Sequence, residues 1–185
     1  MKMMYLIEFY SYNYFMKNRL KPHTPTSNLF VDTSLKLTKS KIVLSFVIKG
    51  KLFDYTFPKK YKLQRLDELW KETCFELFLA GDDKSYYELN FSPSFGWNFY
   101  LLNGYRAEPK ELEVLNEPKI KSEKREDEFS IYFELESKNL NFEKFTHYNL
   151  ATILLTKEKK RTFWAIKHLK DRADFHDRES FLEII

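Results

Sequence analysis

The chain has 185 residues, 43% of them hydrophobic, which is enough for one domain with a sizeable core. Its net charge is a mild +4, and the lysines fall in short runs, "KLFDYTFPKKYK" and "TKEKKR", that read as solvated strand ends and turns and not as a nucleic-acid face. One cysteine excludes an intramolecular disulfide, four glycines argue against a phosphate-cradling loop, and the lack of an 18-residue apolar run excludes a spanning helix.

In chain order, "MKMMYLIEFYSYNYFMKNRL" comes first. Glu8 interrupts its apolar part and no small-residue cleavage site follows, so it does not read as a signal peptide. With the single cysteine, this predicts a cytoplasmic protein. Residues 1–15 read as an extension from an upstream start codon, and the domain as residues 16–185. "LKLTKSKIVLSFVIKGKLFDYTF" alternates at Leu35 and Leu37, runs apolar from Ile42 to Ile48, and alternates again at Phe53, Tyr55 and Phe57. This predicts two or three strands, the last ended by Pro58. "LDELWKE" suits one helical turn. "TCFELFL", "YYELNFS" and "WNFYLLN" predict strands, with breaks at "GDD" and "PSFG". Residues 107–128 are the most charged part, with short strand pieces predicted at 112–115 and 119–122. "FSIYFEL" alternates cleanly, and "LNFEKF" suits another helical turn. "YNLATILLT" and "FWAIKH" predict a hairpin, and "SFLEII" a closing strand. About ten short strands without a long amphipathic helix predict an all-β sandwich or barrel.

Two groups of residues carry chemistry. Glu76 and Glu88 sit mid-strand among apolar neighbours, and Asn90 shares the Glu88 face. A charged side chain in a sheet costs free energy unless it is paired or solvated. Either Arg65 or Arg106 neutralises these acids, or the face is wet, or they form the polar floor of a ligand site. In the last case Trp97, Tyr86 and Tyr100 could stack on a sugar ring. A catalytic carboxylate pair remains open, because sequence does not give the separation such chemistry needs. The second group is His168, Asp174 and His176, a candidate metal set whose spacing matches neither a zinc finger nor H-E-x-x-H; the alternative is that these side chains satisfy an irregular loop. Cys74 reads as a buried, inert thiol.

"RLDELWKETCFELFLA", "YYELNFSPSFGWNFYLLNGYR" and "FWAIKHLKDRADFH" resemble the bacterial DOMON-like proteins, relatives of the family 9-like carbohydrate-binding modules. The similarity runs through Trp70, Thr73 to Glu76, Tyr87 to Asn90, Ser92 to Ser94, Trp97, Tyr105 and Arg106, with His23 and Asp174 to His176 at the two ends. It spans roughly residues 20–182. It implies a jelly-roll-like sandwich of two antiparallel sheets and a non-catalytic module for sugar or haem. Leu169 and Ala173 stand where prolines are expected. All four methionines, Met1, Met3, Met4 and Met16, lie before the domain or at its first residue, which argues against a Met–His haem. The expectation is therefore a β-sandwich that binds a sugar or another small polar ligand through Glu76, Glu88, Asn90, Trp97, Tyr100, Arg106, Arg65 and Trp70. The alternatives are a metal-dependent enzyme at His168, Asp174 and His176, and a protein-interaction module with no small ligand.

Overall fold

The computed structural model describes residues 14–25, 28–58, 62–137 and 139–185. Most of the predicted extension, residues 1–13, lies outside them. The strands are β1 (Tyr14–Pro22), β2 (Leu29–Leu37), β3 (Lys41–Gly50), β4 (Gln64–Arg65), β5 (Cys74–Ala80), β6 (Tyr86–Phe91), β7 (Gly96–Leu102), β8 (Lys110–Glu111), β9 (Lys119–Lys124), β10 (Glu128–Glu136), β11 (His147–Leu155), β12 (Arg161–Ala165) and β13 (Leu182–Glu183). Among the described residues there is no α-helix. Single 3-10 turns occur at Leu52–Asp54, Leu69–Lys71, Phe142–Lys144 and Arg178–Ser180. The protein is thus mostly β, as its aromatic and β-branched content dictates.

All the strands join one curled sheet in the order β4-β7-β6-β5-β11-β12-β1-β2-β3-β10-β9, with β8 on β7 and β13 on β11. The curl passes through β1. Residues 14–20 pair with β2, and Lys21 and Pro22 pair with β12. This brings the inner faces of β3 and β10 against those of β5 and β6. The ring of Phe46 lies 5.0 Å from that of Phe75, and Phe91 lies 4.9 Å from Phe133. Each fully buried ring of this kind contributes about 1.5–3 kcal/mol, so this aromatic seam dominates the core.

The two halves of the sheet differ on their outer faces. Strands β2, β3 and β10 alternate strictly between buried and open positions. Strand β5 is buried at every position, because the chain around the last turn folds back over it and adds Phe175 and Phe181 to the cluster of Phe78 and Tyr86. That cover borders the acids: Glu76 lies buried beneath it, and Glu88 is partly open beside it.

Three local expectations are corrected. "KLFDYTF" is not a strand: Gly50 at φ 124 turns the chain, Leu52 is buried in a 3-10 turn, and Phe53 is left 77% exposed. Only Tyr55 retains a bridge, to Thr156. The piece at 112–115 is not a strand either. Leu112 N–H donates to the Phe99 carbonyl, but its own carbonyl accepts from Arg65 Nη2 at 2.7 Å, so a side chain ends the ladder. Conversely, Tyr14 and Phe15 pair with Leu37 and Lys36, two residues before the expected start at Met16.

Candidate functional site

The register of β5, β6 and β7 assembles a polar floor. Glu76 stands opposite Asn90, and Asn90 opposite Asn98; in the adjacent row Phe78 faces Glu88, and Glu88 faces Tyr100. Directly opposed residues share a face of the sheet, so all of these side chains point away from the Phe75–Phe91 core. Three segments wall the floor. The turn at Leu69–Lys71 brings Trp70, and it lies close to the sheet because a Cβ on Gly96 would come within 2.8 Å of Leu66 and 2.9 Å of Leu69. The loop after β7 brings Arg106, held at φ 50 with its backbone N–H donating to Tyr86 Oη at 3.2 Å. The returning C-terminal loop brings His176. Two adjoining hollows result, of about 550 and 230 Å³, sharing Trp70, Glu88, Arg106 and His176. Hollows of about 590 and 630 Å³ near Leu52–Asp54 have no buried polar residue in their lining.

Glu76 is 3% exposed and Asn90 5%. Burial pushes the Glu76 carboxyl well above the usual range, and the neighbouring Glu88 charge pushes it further, against smaller opposing effects of the Cys74 thiol and Arg106. Burial also raises Glu88, opposed by a hydrogen bond from Asn90 Nδ2 to Glu88 Oε1 (2.8 Å) and by Arg106. The same bond fixes the amide of Asn90, and its Oδ1 is buried with no donor. His176 is pushed down to about 4, chiefly by burial and then by Arg106, so it is a neutral imidazole near pH 7. Tyr86 Oη lies 2.8 Å from His176 Nδ1. The same hydroxyl accepts from the Arg106 backbone N–H, so Tyr86 ties together the two loops that wall the floor.

The structure brings together Glu76, Glu88, Asn90, Tyr100, Arg106, Trp70 and His176. It does not bring Trp97 or Arg65 among them. Trp97 is 3% exposed on the inner face, in the core. The Arg65 guanidinium lies 4.3 Å from its ring and binds Asn98 Oδ1 (2.6 Å) and Glu111 (3.3 Å). Among the described residues neither arginine forms an ion pair with Glu88; Arg106 binds Asp174 at 2.9 Å instead. The proposed metal trio is also separated in its bonding. His168 Nε2 lies 2.9 Å from the Lys21 carbonyl, Asp174 is taken by Arg106, Lys170 and Tyr105, and His176 by Tyr86. No group of three or more His, Cys, Asp or Glu among the described residues could hold a metal ion.

The curled sheet has a solved counterpart. It is a candidate carbohydrate-binding protein from Bacteroides uniformis ATCC 8492, with a TM-score of 0.59 at 13% identity over 90% of this chain and 84% of that one. A family 9 carbohydrate-binding module from Caldicellulosiruptor kristjanssonii is similar more distantly. Its complex with cellotriose gives a TM-score of 0.47 at 10% identity, covering 82% of this chain and 72% of that one. Its complex with glucose gives 0.49 at 7% identity, covering 90% and 83%. The sequence matches no protein-family description and no curated protein. The first likeness establishes a shared fold.

Several residues that shape the hollow were missed in the sequence. Asp67 Oδ1 accepts from Tyr100 Oη at 2.5 Å and from Asn98 Nδ2 at 3.1 Å, and Glu111 Oε2 accepts from Asn98 Nδ2 at 3.0 Å. Asn98 is 1% exposed and joins β7 to both flanking segments. Period-two alternation in "GWNFYLL" pairs Asn98 with Tyr100 and would have marked it. Asp67 and Glu111 lie on short, irregular pieces that carry no such signal.

Proposed function

We propose that this chain is a non-catalytic binding module that takes a sugar or another small polar molecule in the hollow above Glu76, Glu88 and Asn90. One observation carries the reading: Asn90 Oδ1 is buried with no donor and lines a hollow of ligand size together with Glu88, which also lines the adjoining hollow of Glu76. Leaving a buried acceptor unsatisfied costs about 1–3 kcal/mol. A ligand hydroxyl or amine bound there would offset that cost. The fold shared with a candidate carbohydrate-binding protein supports the same reading. So do the half-buried Tyr100 and the 43% exposed Trp70, whose rings flank the floor. We further read the curled sheet as a two-layer, jelly-roll-like sandwich of the DOMON-like kind, working in the cytoplasm. The packing of Phe46 on Phe75 and the lone buried Cys74 support these points.

The test is a thermal-shift screen of soluble mono- and disaccharides against the wild-type chain and Glu88→Gln. A ligand at a hundred times its dissociation constant adds about 2.7 kcal/mol, a shift of several degrees for a domain of this length. Stabilisation of the wild type by at least one compound, reduced in Glu88→Gln where that compound carries an amine, is the expected result. A panel in which no compound stabilises either protein defeats the sugar reading, and the binding-module reading falls with it if small amines fail as well.

A further inference from the structure

The hollow is acidic in a basic protein. Asp67, Glu68, Glu88, Glu108 and Glu111 line it, against Arg106 and a neutral His176, while the whole chain carries +4. Several of these charges are already matched. Glu68 binds Lys71 at 2.6 Å, Glu111 binds Arg65 at 3.3 Å, and Arg106 is held by Asp174, which Lys170 also binds. Glu76, Glu88, Asp67 and Glu108 have no lysine or arginine partner among the described residues. The hollow is thus short of positive charge, and the deficit is deepest at its buried floor.

A second observation points the same way. Asn90 is 95% buried, given its 5% exposure, lines the hollow, and keeps Oδ1 without a donor. Its amide nitrogen is committed to Glu88, so what it offers the hollow is an acceptor. Glu76 and Glu88 are acceptors when ionised. The floor therefore asks for donors and for positive charge together. A protonated amine supplies both, with three N–H donors and no acceptor. A bare metal ion would need three or more ligands grouped around it, and no such group occurs among the described residues.

We infer that the two adjoining hollows take a small organic cation: a protonated amine on a polar frame, with Glu88 in both hollows and Glu76 in the smaller one as counter-charges, and Asn90 Oδ1 as acceptor and Tyr100 as aromatic wall in the larger one. The size of the hollows suits a compact molecule and not a polymer chain end buried at length. Tyr100 adds a ring face that attracts a cation. Arg106 stands at the edge of the hollow, turned to Asp174, and so opposes the cation less than a free guanidinium would. Burial makes both acids harder to ionise, and an arriving ammonium favours their ionised forms. Binding therefore favours proton release, and affinity falls as the solution is acidified. This inference rests on reading the hollow as a ligand site, and it names the charge of the ligand.

The experiment is calorimetric titration of the full chain with glucosamine, glucose, N-acetylglucosamine and spermidine at about pH 7 and pH 5, in buffers of different ionisation enthalpy. Glucosamine or spermidine should bind about tenfold or more tightly than glucose at pH 7, and weaken at pH 5. Their heat should change with the buffer, reporting the released proton. Glu88→Gln should lose about tenfold or more of the amine affinity and little of any glucose affinity. Glu108→Gln, on the exposed rim where folding is not at stake, should lose a smaller part. Preference for glucosamine over spermidine assigns a saccharide frame, and the reverse a linear one; both support the inference. Equal binding of glucose and glucosamine, or binding of neutral sugars alone, overturns it and leaves the binding-module reading intact. Failure of every amine and every sugar overturns both.

Discussion

Glu76→Gln isolates the energetic cost of the floor. The substitution keeps the shape of the side chain and removes its charge. Below about pH 4.3, the ordinary glutamate value, both the folded and the unfolded wild-type chains hold the proton on this carboxyl, and the variant gains nothing. As pH rises, the unfolded chain releases its proton first, while burial and Glu88 keep the folded carboxyl protonated. The folded state then binds more protons than the unfolded one, so wild-type stability falls with pH until the folded group also ionises. Gln has no proton to lose, and its amide N–H can reach toward the unpaired Asn90 Oδ1 in the register position opposite. The variant should therefore match the wild type near pH 4 and exceed it by about 0.5–2 kcal/mol near pH 8, the range typical of relieving a functional strain. Urea unfolding followed by the fluorescence of the three tryptophans would measure this at several pH values. A loss of about 3–5 kcal/mol near pH 8 would show that Glu76 belongs to a buried ion pair and would refute the reasoning. A difference independent of pH would refute the titration part of it.

The C-terminal loop should respond in the opposite sense. Burial works to raise Asp174, but hydrogen bonds from Tyr105, Lys170 and Arg106 outweigh it and hold the carboxyl at about 2. Its contribution is present above the unfolded value and lost as pH falls toward 2, so Asp174→Asn should cost about 1–2 kcal/mol near pH 7 and almost nothing near pH 2, as read by thermal melts. Cys74 is fully buried, and burial followed by the nearby Glu76 and Glu88 raises its thiol well above the usual range. A thiol reagent should label the native chain slowly and the denatured chain fast; rapid native labelling would contradict the burial of β5. Gly50→Ala would put a Cβ 1.9 Å from the Asn28 carbonyl oxygen at φ 124. A loss of about 1–3 kcal/mol or more is expected, and a smaller one for Gly104→Ala, where no atom lies within 4 Å and only the backbone at φ 153 opposes the change.

Alternation carried the most information in the sequence. Residues 86, 88 and 90 share a face, and so do 87, 89 and 91, as "YYELNFS" alone implies; β6 realises both rows. The same rule separates Trp97 from Tyr100, which stand three apart on one strand and so face opposite sides. Grouping both as stacking rings overlooked that parity, and Trp97 belongs to the core. What no local pattern encodes is the meeting of Arg106 and His176 over the acids. That depends on the C-terminal loop returning across β5 and on a left-handed residue after β7, as the place of Trp70 depends on Gly96 admitting Leu66 and Leu69. Phe53 misled for a related reason. Its spacing from Tyr55 and Phe57 imitates a strand, but the backbone turns at Gly50 before the pattern can be used.

The double pairing of β1 has a kinetic consequence. This strand precedes β12 by most of the chain, yet Lys21 and Pro22 must meet Ala165 and Trp164 before the curl closes. Contacts of such long range make folding slow. Until β12 arrives, the end of β1 is an open edge able to template pairing with another molecule. Its sequence answers that hazard. Lys17, Arg19 and Lys21 recur along one face, and Pro22 offers no N–H, so the waiting edge is both charged and short of a donor. Neutralising those three cations would leave the finished fold little changed and make its assembly prone to aggregation.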